Sequence, residues 1–137
     1  MTGDASWEVQ QAVYAALSAD SALQALIGAP ARIYDDAPAD AAFPFVTIGQ
    51  ARATDWHGAD GGVEHDIRLY AWSRYAGRKE VKQIISAVYD IVHEGSFSVA
   101  GHRLVNSRFV FADIFRRQDG DTYQGVMRYR IVTEPSA

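Results

Sequence analysis

The chain contains no cysteine among its 137 residues. Disulfides, thiolate metal sites and a catalytic thiol are thereby excluded. Only histidine and carboxylate side chains remain as metal ligands, and His57, His65, His93 and His102 show no ligand spacing such as HExxH. Asp60-Gly61-Gly62 lacks the lysine and hydroxyl residue of a phosphate loop, and no serine stands in a Gly-x-Ser-x-Gly elbow. No apolar run approaches the ~18 residues of a membrane span. The opening MTGDASWEVQQ has no basic segment leading into an apolar one. A cytoplasmic product without a membrane partner is therefore expected. Basic residues are also in deficit: the net charge of -4 disfavours sequence-independent nucleic-acid binding, which draws on counterion release. Neither an enzyme, a cofactor nor a metal site is expected. Asp35, Asp36 and Asp40 could gather around a hard cation, but beside Pro38 and Pro44 they are more simply turn formers.

What is present is ample apolar surface. With 48% hydrophobic, 12% aromatic and 22% charged residues the chain can offset its ordering entropy and fold as a single domain over 1–137. Its core is expected at about 5–133, with flexible ends and a long loop at about 35–44. Val9, Ala12, Val13, Ala16 and Leu17 recur at helical spacing from Ala5 onward, while Trp7 and Tyr14, seven positions apart, share another face with Gln10 and Gln11 between them. Asp20 is placed to cap a short second helix that Gly28 closes and Pro30 prevents from continuing. Between Gly77 and Gly95, the positions Val81, Ile84, Ile85, Val88, Ile91 and Val92 give the strongest helix, with Gly95 as its expected end.

Strand signals occupy the rest. Phe45 to Thr54 and Val63 to Ser73 flank the turn-rich DWHGADGG and predict a hairpin. In the second strand Val63, His65, Ile67, Leu69 and Ala71 share a core face, where His65 reads as a satisfied, partly buried histidine. Glu64, Asp66, Arg68, Tyr70 and Trp72 share the opposite face. Ser96 to Thr133 predicts two long strands around Asp119-Gly120. With those two residues central to the turn, Phe111 falls opposite Arg128 and Phe109 opposite Arg130. The set Val110, Ala112, Ile114, Met127, Tyr129 and Ile131 then faces the helices. The expected fold class is α+β: an antiparallel sheet of about four to five strands with two main helices packed on one face. The second sheet face, with Phe109, Phe111, Phe115, Asp113, Arg128 and Arg130 beside Arg68, Tyr70 and Trp72, mixes rings with guanidinium groups, the composition of interface cores. Trp7, Tyr14, Arg68, Tyr70, Trp72, Phe109, Phe111, Arg128 and Arg130 are accordingly the candidate subunit-interface residues.

The order of AVYAALSADSALQALIG, RIYDDAP, FPFVTIG, HDIRLYAWSRYAG, KQIISAVYDIV and GHRLVNSRFVFADIFRRQDGDTYQGVMRYRI resembles the tail terminator family, the tail-completion or head-to-tail joining proteins of long-tailed phages, prophages and gene transfer agents. The resemblance spans about residues 7 to 133. Its most specific pieces are Tyr34-Asp35 with Pro38, Phe43-Pro44-Phe45-Val46 leading to Ile48-Gly49, Trp72-Ser73 with Gly77, and the Asp119-Gly120 hairpin.

The resemblance implies a structural virion protein at the head-proximal end of the tail. Six copies would close into a homohexameric ring on the tail tube protein, stop its polymerisation and meet the head connector or adaptor protein, with DNA only passing through the lumen. Axial contacts would fall to loops, giving Asp35, Asp36, Trp56, His57, Asp60, Arg116, Arg117 and Asp119 as candidates. Arg116 and Arg117, or Arg74, Arg78, Lys79 and Lys82, would line the bore, although a solvated helix face is the simpler account of the second group. A head-completion or adaptor protein of the same kind of particle is the alternative reading, and a nucleic-acid-binding module is a more distant one.

Overall fold

The computed structural model describes residues 5–136, so the expected flexible ends fall partly outside the described residues. The elements run α1 (Ser6–Ser18), α2 (Ser21–Ile27), β1 (Ile33–Tyr34), β2 (Phe45–Asp55), β3 (Val63–Ser73), α3 (Lys79–Val92), β4 (His102–Arg116) and β5 (Tyr123–Pro135). The fold class is α+β, as the sequence predicts. One five-stranded sheet has the order β1-β2-β3-β5-β4, antiparallel except where short β1 runs parallel to β2.

Three helices stand on one side of this sheet. Val9, Ala12, Val13 and Leu17 of α1 are buried, as the helical stripe requires. Asp20 caps α2 by accepting the Leu23 N–H at 2.9 Å, a contact worth about 1 kcal/mol, and Gly28 ends it at φ 101°. Val81, Ile84, Val88 and Val92 of α3 are wholly buried against the sheet. Each such side chain contributes roughly 1.5–3 kcal/mol relative to exposure. This stripe, and not capping, holds α3 in place, because its N-cap Arg78 makes no side-chain cap bond.

The end of α3 departs from expectation. His93 is its C-cap, and the residue at positive φ is Glu94 (φ 52°), not Gly95. The Glu94 N–H is taken by the Ser107 carbonyl of β4 at 2.6 Å, so the sheet captures the chain one residue before the glycine. His65 is buried with Nε2 3.0 Å from Thr133 Oγ1, in keeping with its reading as a satisfied core histidine.

The β4–β5 register holds near the turn and slips farther away. Phe111 does stand opposite Arg128, but the loop is wider than two residues, since the last paired residues are Arg116 and Tyr123. The ladder then shifts between Phe109 and Phe111, and again between Leu104 and Asn106. A bulge puts one extra residue on one strand and inverts the alternation beyond it. Phe109 is therefore opposite Tyr129, and Arg130 faces Arg108, not Phe109. The inversion corrects two placements: Val110, expected against the helices, is 46% exposed, while Phe109 packs on the helix side.

Candidate assembly surfaces

Directly opposed residues of a sheet share a face, so the register fixes what the helix-free side displays. One row holds Phe45, Trp72, Gln124 and Phe115; the next holds Thr47, Tyr70, Val126 and Asp113; a third holds Arg68, Arg128 and Phe111; a fourth holds Arg52, Asp66, Arg130 and Arg108. Phe45, Val126 and Val132 are buried yet lie outside the helix-side core. This face is thus partly apolar in its own right. A solvated sheet face would be polar.

Its charges are paired on the diagonal. Asp66 stands opposite Arg130, but its carboxylate accepts from Arg128, Nε to Oδ1 at 2.7 Å and Nη2 to Oδ2. These bonds hold the Arg128 guanidinium above its ordinary value. Arg130 Nη2 meets Glu64 Oε1 at 2.9 Å and its Nη1 meets Asn106 at 3.4 Å. Arg68 is directly opposite Arg128, and both guanidinium carbons lie 5.9 Å from the centre of the Phe111 ring. Tyr70 lies flat over Gly49, where any Cβ would stand 2.2 Å from its Cε2. The five candidate interface residues on β3 and β5 therefore meet on one face, and Phe111 of β4 joins them. Phe109 does not join them: its ring packs edge-on against Tyr129 at 5.6 Å and Tyr89 at 5.2 Å, on the other side of the sheet.

At one end of the same face lies an aromatic cluster that sequence reasoning missed. Phe43 and Phe45 are 4.9 Å apart, Phe45 stacks on Trp72 at 6.1 Å, and Trp72 Nε1 donates to Thr47 Oγ1 at 3.0 Å. Arg74 sits 4.2 Å over Phe43 and Arg117 5.8 Å over Trp72. These groups border a recess of about 290 Å3. The hairpin pairing of Phe45 with Trp72 was the signal that could have placed them there.

The second surface is on α1. Trp7 is 59% and Tyr14 46% exposed. With Gln10, Gln11, Asp35 and Ile48 they line a recess of about 440 Å3. Asp35 follows directly on β1, which positions it beside α1 and not at an end of the sheet.

The candidate axial residues of the two hairpin loops divide between two ends. Trp56, His57 and Asp60 belong to the β2–β3 loop, next to the end where Val63 pairs with Thr133. Trp56 folds back over its own loop against Gly58 and Gly62, and His57 Nδ1 meets Asp55 at 3.1 Å on the surface. Arg116, Arg117 and Asp119 lie at the opposite end, where the 35–44 loop also returns: Ala37 and Phe43 border the same recess as Asp119 and Thr122. Arg116 donates from Nε and Nη2 to the Gly120 carbonyl. Asp119 accepts from the N–H of Asp121 and Thr122 and from Thr122 Oγ1. Led by the Thr122 hydroxyl, these donors pull its carboxyl down to about 2. Among the described residues no group of three or more histidines and carboxylates is placed to hold a metal ion, and no helix of the described residues is long and apolar enough to cross a membrane.

Comparison with known proteins gives two findings. The family model described as tail completion protein gp17 matches residues 11–134. A chain of a solved structure, a virion of a native gene transfer agent (GTA) particle, superposes with a TM-score of 0.84 at 26% sequence identity, covering 95% of this chain and 97% of that one. Among curated proteins nothing matches.

Proposed function

The chain belongs to the family of the tail completion protein gp17, and from that membership we propose that it is a structural virion protein that ends the tail of a phage-like or gene-transfer-agent particle. Six copies close into a ring on the last ring of tail tube protein, stop its growth and present a surface to the head connector. The chain acts by contact and not by chemistry.

One observation carries the ring: the protein has two ring-rich surfaces on different sides, the helix-free sheet face with the half-buried Phe111, Tyr70 and Trp72, and the exposed Trp7/Tyr14 side of α1. A closed ring needs this arrangement, because heterologous contacts join two unlike patches by rotation. The division of the polar loops between opposite ends of the sheet supports two axial neighbours, one above and one below. The near-complete overlap with a chain of a gene transfer agent virion supports an address in the particle.

Electron microscopy of particles produced without this chain tests the reading. Overlong or headless tails are the expected result. Normal tails with heads that leak DNA would overturn it in favour of a head-completion adaptor.

A further inference from the structure

The two adhesive surfaces carry opposite charge. On the helix-free sheet face Gln50, Ala51, Arg52, Asp66, Arg68 and Arg128 line a recess of about 500 Å3, in which three guanidinium groups meet one carboxylate. That carboxylate is already engaged by Arg128. Neither Arg52 nor Arg68 forms an ion pair among the described residues. The α1 surface has the reverse character. Asp35 lines the recess between Trp7 and Tyr14, Asp36 follows it exposed, and neither carboxylate has an ion-pair partner among the described residues.

We propose that these surfaces are the two halves of one contact between copies of this chain: the Trp7/Tyr14 side of α1, led by Asp35 and Asp36, seats on the Arg52/Arg68/Phe111 side of the next copy's sheet. The inference rests on the ring reading and deepens it by naming which surfaces meet. Complementary charge fixes the register of such a contact and disfavours like surfaces meeting, because juxtaposed guanidinium groups repel. The rings of Trp7 and Tyr14 supply apolar area on one side, and Phe111 and Tyr70 supply it on the other. A two-fold contact through either surface alone would place like charges together, so the complementarity directs the chain toward a rotating, heterologous contact between the two different surfaces. A nucleic-acid backbone is the other anion this recess would suit. The flanking rings and the net charge of -4 favour a protein carboxylate.

Because the chain has no cysteine, the introduced thiols are the only ones it carries, and a cross-link between two copies must run through them. Asp36→Cys and Arg68→Cys are combined in one chain, expressed with the other particle proteins, and the assembled particles are treated with a short bismaleimide. The expected result on a denaturing gel is a ladder of covalent multiples, with each single-cysteine parent remaining monomeric. Particles that hold the double variant at the wild-type amount and give no ladder overturn the pairing and leave the ring standing. Dimers from either single variant overturn it too, in favour of an isologous contact. Absence of the wild-type chain from purified particles overturns the ring reading and the pairing with it. If the double variant is not incorporated, Gln11→Cys with Arg52→Cys leaves Asp36 and Arg68 intact and is read by the same criteria. Duplex DNA bound by the wild-type chain and released by Arg68→Glu, without a ladder in particles, reassigns the recess to nucleic acid.

Discussion

Arg128 engages the Asp66 carboxylate through both Nε and Nη2 while standing directly opposite Arg68, which has no ion pair among the described residues. Like charges facing each other across strands destabilise a sheet. Asp66 thus offsets the repulsion within an arginine pair. Asp66→Ala is expected to lower the melting temperature, and by less at about 1 M salt than at about 0.1 M, since the Debye length falls from about 10 Å to about 3 Å. Calorimetry at the two salt concentrations checks this. A loss independent of salt would show that Asp66 acts through packing and not through charge.

Trp7 is expected to matter for assembly and not for folding. It is 59% exposed and on the side of α1 away from Val9 and Val13. Trp7→Ala should change monomer stability by about 0.5 kcal/mol or less, while its incorporation into particles falls at least tenfold. Denaturant unfolding of the monomer and blotting of purified particles measure the two effects separately. A large loss of monomer stability would move Trp7 into the core.

Val88→Asp should have the opposite signature. Val88 is fully buried in the α3 stripe, within the hydrophobic core cluster. An unpaired buried charge costs roughly 3–5 kcal/mol, against a total stability of about 5–15 kcal/mol for a domain. Circular dichroism should report a chain that is unfolded or that melts far below wild type. A melting curve close to wild type would mean that α3 is not anchored by its stripe.

The elements most legible in the sequence were those whose signal is local. The Asp20 cap, the Gly28 stop and the α3 stripe each depend on residues a few positions apart, and the structure places them as read. Phe111 opposite Arg128 was also legible, because turn chemistry sets register near the turn. Phe109 was not. A bulge at Val110 has no mark in an alternating run of apolar and polar residues, and one extra residue exchanges every face beyond it. Gly95 failed for a related reason, since the competing Ser107 carbonyl comes from a strand that only tertiary structure brings alongside. The two-surface pattern was visible in composition. The grouping of Asp35 with Trp7 and Tyr14 was not, because it requires β1 to lie beside α1.

Tyr129 is buried on the helix side, and its hydroxyl finds no hydrogen-bond partner among the described residues. Burial, with Tyr89 and Asp90 nearby, pushes its ionisation well above the ordinary 10.0. A raised folded-state value means stability is fully present below about pH 10 and is lost as pH rises through and beyond it. Tyr129→Phe removes both the orphaned hydroxyl and this dependence. It should leave the protein as stable or more stable by about 1 kcal/mol at neutral pH, and flatten the decline above pH 10. Denaturant midpoints measured across that range decide it, and a marked loss at neutral pH would mean that the hydroxyl is satisfied.

Asp119 gives the corresponding acid-side prediction. Its carboxyl is held down to about 2 by the Thr122 hydroxyl first, then by the backbone N–H groups of Thr122 and Asp121. A depressed folded-state value contributes order that is present above the ordinary 3.8 and is lost as pH falls toward 2. The β4–β5 loop, closed by the Arg117 N–H on the Thr122 carbonyl at 2.7 Å, should therefore keep its shape through mild acid and loosen only near pH 2. Thr122→Val removes the leading donor but leaves both backbone ones, so the titration midpoint should rise toward, and remain below, 3.8. Carboxyl chemical shifts followed by NMR in both proteins measure the two midpoints. Equal midpoints would assign the depression to the backbone donors alone and make the Thr122 hydroxyl dispensable to the loop.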